Sequence, residues 1–248
     1  EEGVVELKES VFEACPLTEI TLPKSLRCVG LSSPGDFDIP TDENGMQIMD
    51  GILFSVPKSV KGHFMIPDGV RVIGSDVFAG CEALTQITIP QSVVSISDNA
   101  FAGCSALKTV ALPEGLEYVG IQAFAGCSSL ESIVLPEGVQ YIGARAFGTY
   151  MTVTKHPDEY DTCEKLKRAV LPTQLGSVPA RLFSGCCALE AVSLPNTATE
   201  IEDGAFSGCV ALKGLRLPTQ LKRIGDRAFW NCCSLTQLDI PDTVTEVG

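Results

Sequence analysis

Cysteine and histidine are the residue types of this chain that could supply metal ligands, or a nucleophile with its base. The 248 residues include eleven cysteines and two histidines, His63 and His156. The histidines form no His-Glu-x-x-His pattern, and no cysteines stand at the Cys-x-x-Cys spacing of a metal site. Cysteines that are directly adjacent, such as Cys186 and Cys187, are rarely used by a tetrahedral zinc site. These spacings predict no metal site and no cofactor.

Two further chemical arrangements can be drawn from the sequence. A thiol nucleophile with a histidine base could combine Cys163 with His156, but Cys163 falls in a column expected to be buried, and a reactive thiol needs exposure. The acidic segment 36–50 could offer oxygen ligands to calcium, but the run 38–45 does not follow the EF-hand order. We therefore expect a solvated acidic loop and a protein that is not an enzyme, with hydrolase activity as a remote alternative.

The elements that must position these residues follow a fixed period. Phenylalanine recurs every 23 residues at Phe78, Phe101, Phe124 and Phe147, and the same step returns at Phe183, Phe206 and Phe229. Cysteine follows most of these phenylalanines by three residues, leucine by six and proline by twelve. A period of this length predicts a stacked solenoid in which neighbouring repeats share one continuous core.

Each repeat should contain a strand, and one copy illustrates the pattern. Val110 and Leu112 alternate with Thr109 and Ala111, which is the period of a strand with one buried face, and Pro113 ends that strand. The strand should pair in parallel with the one 23 residues further on, and the coil after it leaves room for a short second strand or a 3₁₀ turn. The prolines that close such strands predict about nine repeats: Pro23, Pro67, Pro90, Pro113, Pro136, Pro172, Pro195, Pro218 and Pro241.

Most of the cysteines occupy a single repeat position. Because free cysteine behaves as a small buried hydrophobe, we expect this column to be a buried ladder of thiols, one per layer. Cys187 and Cys233 stand one position further along and two repeats apart, so ~10 Å separates them and they cannot form a disulfide with each other. The ladder consists of Cys15, Cys81, Cys104, Cys127, Cys163, Cys186, Cys209 and Cys232.

Two segments, residues 31–62 and 148–161, interrupt the period. The first carries the acidic residues and then 51–54, which has the pattern of a hairpin strand. The second brings Tyr150, His156 and Tyr160. Insertions into a solenoid lie on loops, often at the binding face, and exposed aromatic residues anchor interfaces. These three residues are therefore candidates for contact with a partner.

The strand positions that should face solvent form two columns along the stack. They are mostly small and polar, with an apolar centre at Ala111, Val134 and Val170, and an exposed apolar patch can mark an interaction site. Small residues also suit a crowded, curved sheet face, so a purely structural interpretation stays open. The candidates for partner contact in these columns are His63, Met65, Thr109, Ala111, Ser132, Val134, Arg168, Val170 and Arg216.

Charge and hydropathy exclude some classes of partner. The formal net charge of −13 disfavours nucleic acid and anionic membrane surfaces, which attract basic proteins. No apolar run approaches the ~18–20 residues of a membrane-spanning helix. The chain starts with Glu1 and stops at Gly248, a repeat position shared with Gly120 and Gly143, so we expect a fragment of a longer protein whose targeting signals have been removed.

The repeated motif resembles a known family. Its pattern, Ala-Phe-x-Gly-Cys-x-x-Leu followed by a strand, Pro and a closing Ile-Gly, stands almost without deviation in residues 123–143 and again in 228–241. It is similar to the leucine-rich repeats of the BspA-like (Treponema-type) family, and the likeness covers nearly the whole chain. The resemblance implies a mainly β leucine-rich repeat solenoid with parallel strands on one face. It also implies a bacterial or protozoan surface or secreted protein that adheres to host or neighbouring-cell proteins.

These observations lead to one preferred hypothesis and one alternative. The preferred hypothesis is a single leucine-rich repeat domain over 1–248, located at the cell surface or secreted, that binds a protein or a glycan without catalysis. A host extracellular matrix or plasma protein is the expected kind of protein partner, with no nucleic acid and no membrane insertion. The alternative is a structural spacer that presents binding segments lying outside this chain.

Overall fold

The computed structural model describes residues 3–7, 21–30, 39–57, 59–149 and 162–248. Within these residues the chain forms eighteen short β-strands and no α-helix. In chain order they are β1 (Glu6–Leu7), β2 (Cys28–Val29), β3 (Gln47–Met49), β4 (Ile52–Ser55), β5 (Gly62–Met65), β6 (Val72–Ile73), β7 (Leu84–Thr88), β8 (Ser95–Ile96), β9 (Thr109–Val110), β10 (Tyr118–Val119), β11 (Ser132–Val134), β12 (Tyr141–Ile142), β13 (Arg168–Val170), β14 (Ser177–Val178), β15 (Ala191–Ser193), β16 (Glu200–Ile201), β17 (Arg223–Ile224) and β18 (Glu246–Val247).

Most repeats contribute strands at two positions, and each position builds its own parallel column. In the first-strand column β5, β7 and β9 pair in order, and β11, β13 and β15 form a second group. In the second-strand column β4, β6, β8, β10 and β12 pair in order, followed by β14, β16, β17 and β18. Paired residues are one repeat apart, as Thr109 is opposite Gln86 and Tyr141 is opposite Tyr118. The predicted solenoid of about nine turns, with short second strands, is confirmed.

A column of stacked phenylalanine rings forms the centre of the core. Consecutive rings from Phe78 to Phe229 lie nearly parallel, with centroids 5.0 Å apart at Phe78–Phe101 and 5.5 Å apart at Phe206–Phe229. The column continues across the second insertion, where the Phe147 and Phe183 centroids are 5.8 Å apart. Stacked pairs of this kind stabilise a core by about 0.5–1.5 kcal/mol each beyond the burial of area. Each 23-residue repeat therefore adds one aromatic layer to the core.

The thiol ladder runs beside the phenylalanine rings. Cys104 Sγ donates a hydrogen bond to the carbonyl of Phe78, one repeat earlier, at 3.1 Å. The same bond recurs at 3.2–3.3 Å from Cys127, Cys163, Cys186, Cys209 and Cys232. Burial raises the pKa of the Cys127 and Cys186 thiols, which keeps them protonated as donors. The predicted buried ladder of free thiols is confirmed from Cys104 to Cys209, whereas Cys81 and Cys232 at its ends are free but only half-buried. Cys15 lies outside the described residues.

The turn that precedes each core phenylalanine forms a third column, here called the turn edge. The residue two positions before each phenylalanine has a positive φ, for example 54° at Arg181 and 53° at Arg227. Non-glycine residues adopt this conformation at a cost of about 1 kcal/mol. Backbone hydrogen bonds to the next repeat offset that cost. Arg181 N, for example, donates to the Asp203 carbonyl at 2.9 Å. Along the stack this position holds Asp76, Asn99, Gln122, Arg145, Arg181, Gly204 and Arg227.

The residue that precedes β9, β11, β13 and β15 alternates in charge, and Lys213 continues the alternation one repeat further on. The backbones of these residues are hydrogen-bonded from layer to layer, with Glu131 N donating to the Lys108 carbonyl at 3.2 Å and Glu190 N to the Lys167 carbonyl at 2.9 Å. All of these side chains are exposed. The alternating column reads Lys108, Glu131, Lys167, Glu190 and Lys213.

The second-strand column is interrupted between β12 and β14. The backbones of adjacent repeats approach closely just after β12, where Gly143 N donates to the Val119 carbonyl at 2.8 Å. A Cβ on Gly143 would lie 2.3 Å from Ile121 N, so only glycine fits there. In the next repeat this position is Pro179, which has no N–H to donate to Ile142. A cleft of about 390 Å³ separates the two strands at this point.

Residues 21–30, here called the N-terminal cover, lie against the outer side of the second strands. Val29 N donates to Ser97 Oγ at 3.2 Å, and the Ser95 hydroxyl donates to the Arg27 carbonyl. Arg27 Nε also lies 2.9 Å from a carboxylate oxygen of Glu117. The cover therefore contacts residues from several layers of the stack, and its strand β2 pairs only with β1 among the described strands.

The prediction of one continuous core is wrong at this end of the molecule. The described residues form a large buried cluster from Met46 to Ala228 and a smaller one under the N-terminal cover. The predicted hairpin strand near 51–54 is present as β4, which pairs with β3 and with β6. Leu53 of β4 lies in the large cluster and Ile52 in the small one, so alternate residues of one strand face two cores.

Candidate interaction surfaces

The predicted solvent-facing columns are brought together on one side of the first strands, here called the first-strand face. Register aligns His63 with Gln86 and then Thr109. Further along, it aligns Ser132 with Arg168 and Val134 with Val170. All nine strand-face candidates are exposed: His63, Met65, Thr109, Ala111, Ser132, Val134, Arg168, Val170 and Arg216. The sequence columns therefore correspond to real neighbours, although their role in binding stays a prediction.

An apolar strip runs along the centre of the first-strand face. Val134 is 61% exposed and Val170 is 37% exposed, and the exposed Ala111 occupies the same column one repeat earlier. A shallow groove of about 250 Å³ lies at the near end of this strip, with Thr109, Ala111, Ser132 and Val134 among its lining. Apolar side chains left in water on adjacent strands gain free energy when a partner covers them.

Polar groups flank this strip. Glu114 lines the groove, and Glu137 lies in the same column one repeat further on. The Glu137 carboxylate accepts hydrogen bonds from Thr173 N at 2.9 Å and Thr173 Oγ1 at 2.7 Å, and these bonds lower its pKa. His63 Nε2 lies 2.8 Å from Thr88 Oγ1, so this ring is oriented by a neighbouring strand. The strip therefore has acidic groups along one margin.

The second insertion leaves the stack at the turn edge. Gln122 Nε2 donates to the Thr149 carbonyl at 3.1 Å, and Thr149 Oγ1 donates to the Ser184 carbonyl at 3.3 Å. Tyr150, His156 and Tyr160 lie outside the described residues, so their predicted contact with a partner stays a prediction. The point where the insertion departs is fixed to repeats on both sides of it.

The possible catalytic and metal sites find no support among the described residues. Cys163 is fully buried, and its thiol donates to the Phe124 carbonyl at 3.3 Å, so it does not meet the exposure that a nucleophile needs. In the described part of the acidic segment, Asp42 accepts hydrogen bonds from the backbone of Asn44 and Met46, and Asp50 accepts one from Leu22 N. No group of three potential metal ligands is present in the described residues.

The described part of the chain contains no helix long and apolar enough to cross a membrane.

Sequence reasoning missed a second candidate surface at the turn edge. A cleft of about 540 Å³ is lined there by arginine, aspartate and serine side chains together with Trp230, which is 62% exposed. The signal was present in the sequence, because tryptophan replaces the small residue that follows the other core phenylalanines. Its lining residues are Arg181, Ser184, Asp203, Gly204, Ser207, Asp226, Arg227 and Trp230.

Comparisons with known proteins find the same scaffold elsewhere. The family model for the BspA type leucine-rich repeat region matches six copies, over residues 1–33, 57–157 and 156–248. A leucine-rich repeat protein from Treponema pallidum is 30% identical, with a TM-score of 0.63, and the match covers 74% of this chain and 82% of that one. A leucine-rich repeat protein from Eubacterium ventriosum has a TM-score of 0.64 at 23% identity, covering 89% of this chain and 56% of that one, and so has the same fold. Comparison with curated proteins gives no match.

Proposed function

Because the chain belongs to the BspA-type leucine-rich repeat family, we propose that it is a non-enzymatic, protein-binding module of a cell-surface or secreted protein. Solenoids of stacked repeats present long open surfaces that suit binding to another macromolecule. Adhesion to a host or neighbouring-cell protein is the role proposed for it, with an extracellular matrix or plasma protein as the partner class.

The apolar strip on the first-strand face is the observation that carries this proposal. Val134 and Val170 are adjacent across paired strands β11 and β13, and both side chains are exposed. They stand on strands whose other faces are fixed in the large core, so the surface is rigid before a partner arrives. A rigid apolar centre with polar margins is the usual anatomy of a protein interface.

The margins of the strip supply the specificity of the proposed interface. Arg168 and Arg216 add positive charge to the face, while Glu114 and Glu137 form the acidic margin. A partner with basic groups opposite the acidic margin would associate faster at low salt. The insertion residues Tyr150, His156 and Tyr160 are proposed as a second set of contacts.

A matched pair of substitutions tests the proposal. Partners would first be captured from serum and extracellular matrix extracts and identified by mass spectrometry, and the affinity of the purified partner would then be measured by surface plasmon resonance. Val134→Asp should weaken binding by about tenfold or more, since it places a charge in the centre of the interface. Val247→Asp is the control, because Val247 is also 61% exposed but lies on a second strand. Equal affinity for both variants and the unchanged protein would remove the first-strand face from the proposal.

The spacer alternative makes a different prediction in the same assay. Regular stacking of phenylalanine layers would suit a protein that only holds other segments at a distance. A spacer should keep its partner affinity after Val134→Asp and also after deletion of 148–161. Loss of affinity in either variant would favour the binding module.

A further inference from the structure

The turn-edge cleft is a site that the proposed first-strand interface does not use. Three successive repeats contribute equivalent positions to it, two residues before and one residue after the core phenylalanine. At these two positions the middle repeat has the small residues Gly204 and Ser207, whereas the flanking repeats have Arg181 on one side and Arg227 with Trp230 on the other. The resulting cleft of about 540 Å³ falls within the size range of sites for small ligands.

The arginines of the cleft have unused hydrogen-bond donors. Among the described residues, neither Arg181 nor Arg227 has a side-chain hydrogen bond or ion pair, although the chain contains 31 acidic residues. Asp203 lines the same cleft, but its Oδ1 is held by Arg223 at 3.3 Å and by the N–H of Asp226 at 2.9 Å. A planar guanidinium that lacks a partner is a ready donor for a carboxylate ligand.

Positive charge continues along the turn edge beyond the cleft. Arg145 occupies the equivalent position one repeat before Arg181, and its pKa is lowered by burial and then by the charge of Arg181. A Cβ on Gly204 would lie 3.1 Å from Arg181 Cγ, so the missing side chain lets the stem of Arg181 lie across the middle repeat. The charges of Arg145 and Arg181 therefore repel each other, and an anion bound at Arg181 would offset that repulsion.

Trp230 supplies an apolar flat surface at the other wall. In earlier repeats the same position holds Ala102 and Ala125, which are fully buried, whereas Trp230 is 62% exposed. Its indole N–H makes no hydrogen bond within the described residues. An exposed indole has a broad face for stacking and a free donor at its edge, which suits a ring that is apolar on one face and polar at its rim.

The two signs of charge in the lining select the class of ligand. Asp203 and Asp226 would repel a polyanion such as a nucleic acid, and the net charge of −13 would add to that repulsion. Their carboxylates, with the hydroxyls of Ser184 and Ser207, can instead accept and donate hydrogen bonds to hydroxyl groups. We infer that the cleft binds an acidic sugar, a pyranose ring carrying a carboxylate, with its face on Trp230 and its carboxylate on the arginines.

The single tryptophan of the chain makes this inference directly measurable, because all indole fluorescence comes from the cleft. The methyl glycosides of glucuronic acid and of galacturonic acid, single acidic rings that represent animal and plant sources, would be titrated while emission is recorded. Neutral methyl glucoside and sodium sulfate are the ligand controls. We expect a saturable change with at least one acidic sugar and none with the controls. No change with either acidic sugar, or an equal change with sodium sulfate, would overturn the inference.

Variants identify the residues involved. Arg227→Gln should weaken binding of the acidic sugar by about tenfold, as expected for loss of a charge-assisted hydrogen bond. Arg216→Gln, on the first-strand face, is the matched control and should leave it unchanged. Trp230→Ala should abolish the ligand signal in saturation-transfer NMR, and Trp230→Phe should retain part of it. Unchanged binding in Arg227→Gln and Trp230→Ala would place any sugar site elsewhere.

This site stands apart from the proposed protein interface. Val134→Asp should not alter sugar binding, and Arg227→Gln should not alter affinity for a protein partner. The two proposals can therefore fail separately.

Discussion

The second strands before and after Pro179 occupy the same repeat position but face different surroundings. Before the break, the leading residues are Val72, Ser95, Tyr118 and Tyr141, and the first two are completely buried beneath the N-terminal cover. After the break they are Ser177, Glu200, Arg223 and Glu246, and none of them is buried. The outer side of the solenoid is thus a core in one half and a hydrated surface in the other.

This contrast separates the repeat positions that must be buried in every layer from those that need not be. Phenylalanine and cysteine positions keep their burial on both sides of the break, because every repeat needs them to contact the next. The first residue of each second strand has no such constraint, so its burial depends on whether the N-terminal cover lies over it. In the second half Arg223 joins Glu200, Glu246 and Asp203 across three layers, a network that needs no cover.

The largest loss of stability is expected when a core phenylalanine is removed, and comparing the two halves tests whether they share one core. Phe124→Ala and Phe183→Ala remove fully buried rings on opposite sides of the break. Each should lower the free energy of unfolding by about 3–5 kcal/mol, since a cavity is left within the stack. Chemical denaturation followed by circular dichroism measures this loss. A much smaller effect at one site, or a second unfolding transition in either variant, would mean that the halves are separate units.

A smaller and more local effect is expected at the cover. Leu26 is fully buried in the small cluster, and Leu26→Ala should destabilise the cover by about 2–5 kcal/mol. Burial, followed by the charge of Asp98, raises the pKa of the nearby Cys28 thiol to about 11, so it is protonated and unreactive at pH 8. Opening the cover should return this pKa toward its ordinary value and speed alkylation of Cys28.

Peptide mass spectrometry after timed alkylation measures that change. Cys209, which is buried in the second half, serves as the internal control and should stay protected in Leu26→Ala. Equal acceleration at both cysteines would show that the variant unfolds globally and that the cover is not an independent layer.

The smallest effect should come from the charged network of the second half. Arg223→Gln removes contacts that lie in solvent, where ion pairs contribute little and are screened by salt. Its melting temperature should fall only slightly relative to that of Lys222→Gln, which removes the same charge from a side chain that has no partner among the described residues. The difference should vanish in concentrated NaCl. A large difference that persists in salt would make this network structural rather than superficial.

Sequence periodicity predicted the parts of the fold that every repeat must share. The strand columns and the thiol ladder were predicted from residues that recur at fixed spacing, and the strand register and the free thiols confirm them. The phenylalanines recur at the same spacing, and the structure shows that their rings stack. The exposed positions of Val134 and Val170 could be predicted in the same way, because alternation along a strand fixes which face a residue occupies.

The remaining features depend on single departures from the period. Leu26 and Val29 have the pattern of an ordinary repeat, so nothing local signalled that they would cover other layers. Pro179 could have been noticed, since it replaces the glycine of Gly120 and Gly143 and lacks the N–H of the ladder. To predict the turn-edge cleft, one would have to know that the residues two positions before and one position after the core phenylalanine lie side by side. The 23-residue period alone does not give that information.

The alternating charges before the first strands bear on how the chain assembles. Neighbouring repeats are so alike that a layer could be skipped during folding, bringing a repeat against its second neighbour, a known hazard of repeat proteins. Correct stacking sets Lys108 beside Glu131 and Lys167 beside Glu190, whereas skipping one layer would set lysine on lysine or glutamate on glutamate. Like charges directly opposite each other on adjacent strands are destabilising. We therefore expect the alternation to disfavour an omitted layer, so that uniform replacement of its five residues by glutamine should raise the fraction of misfolded chains on refolding.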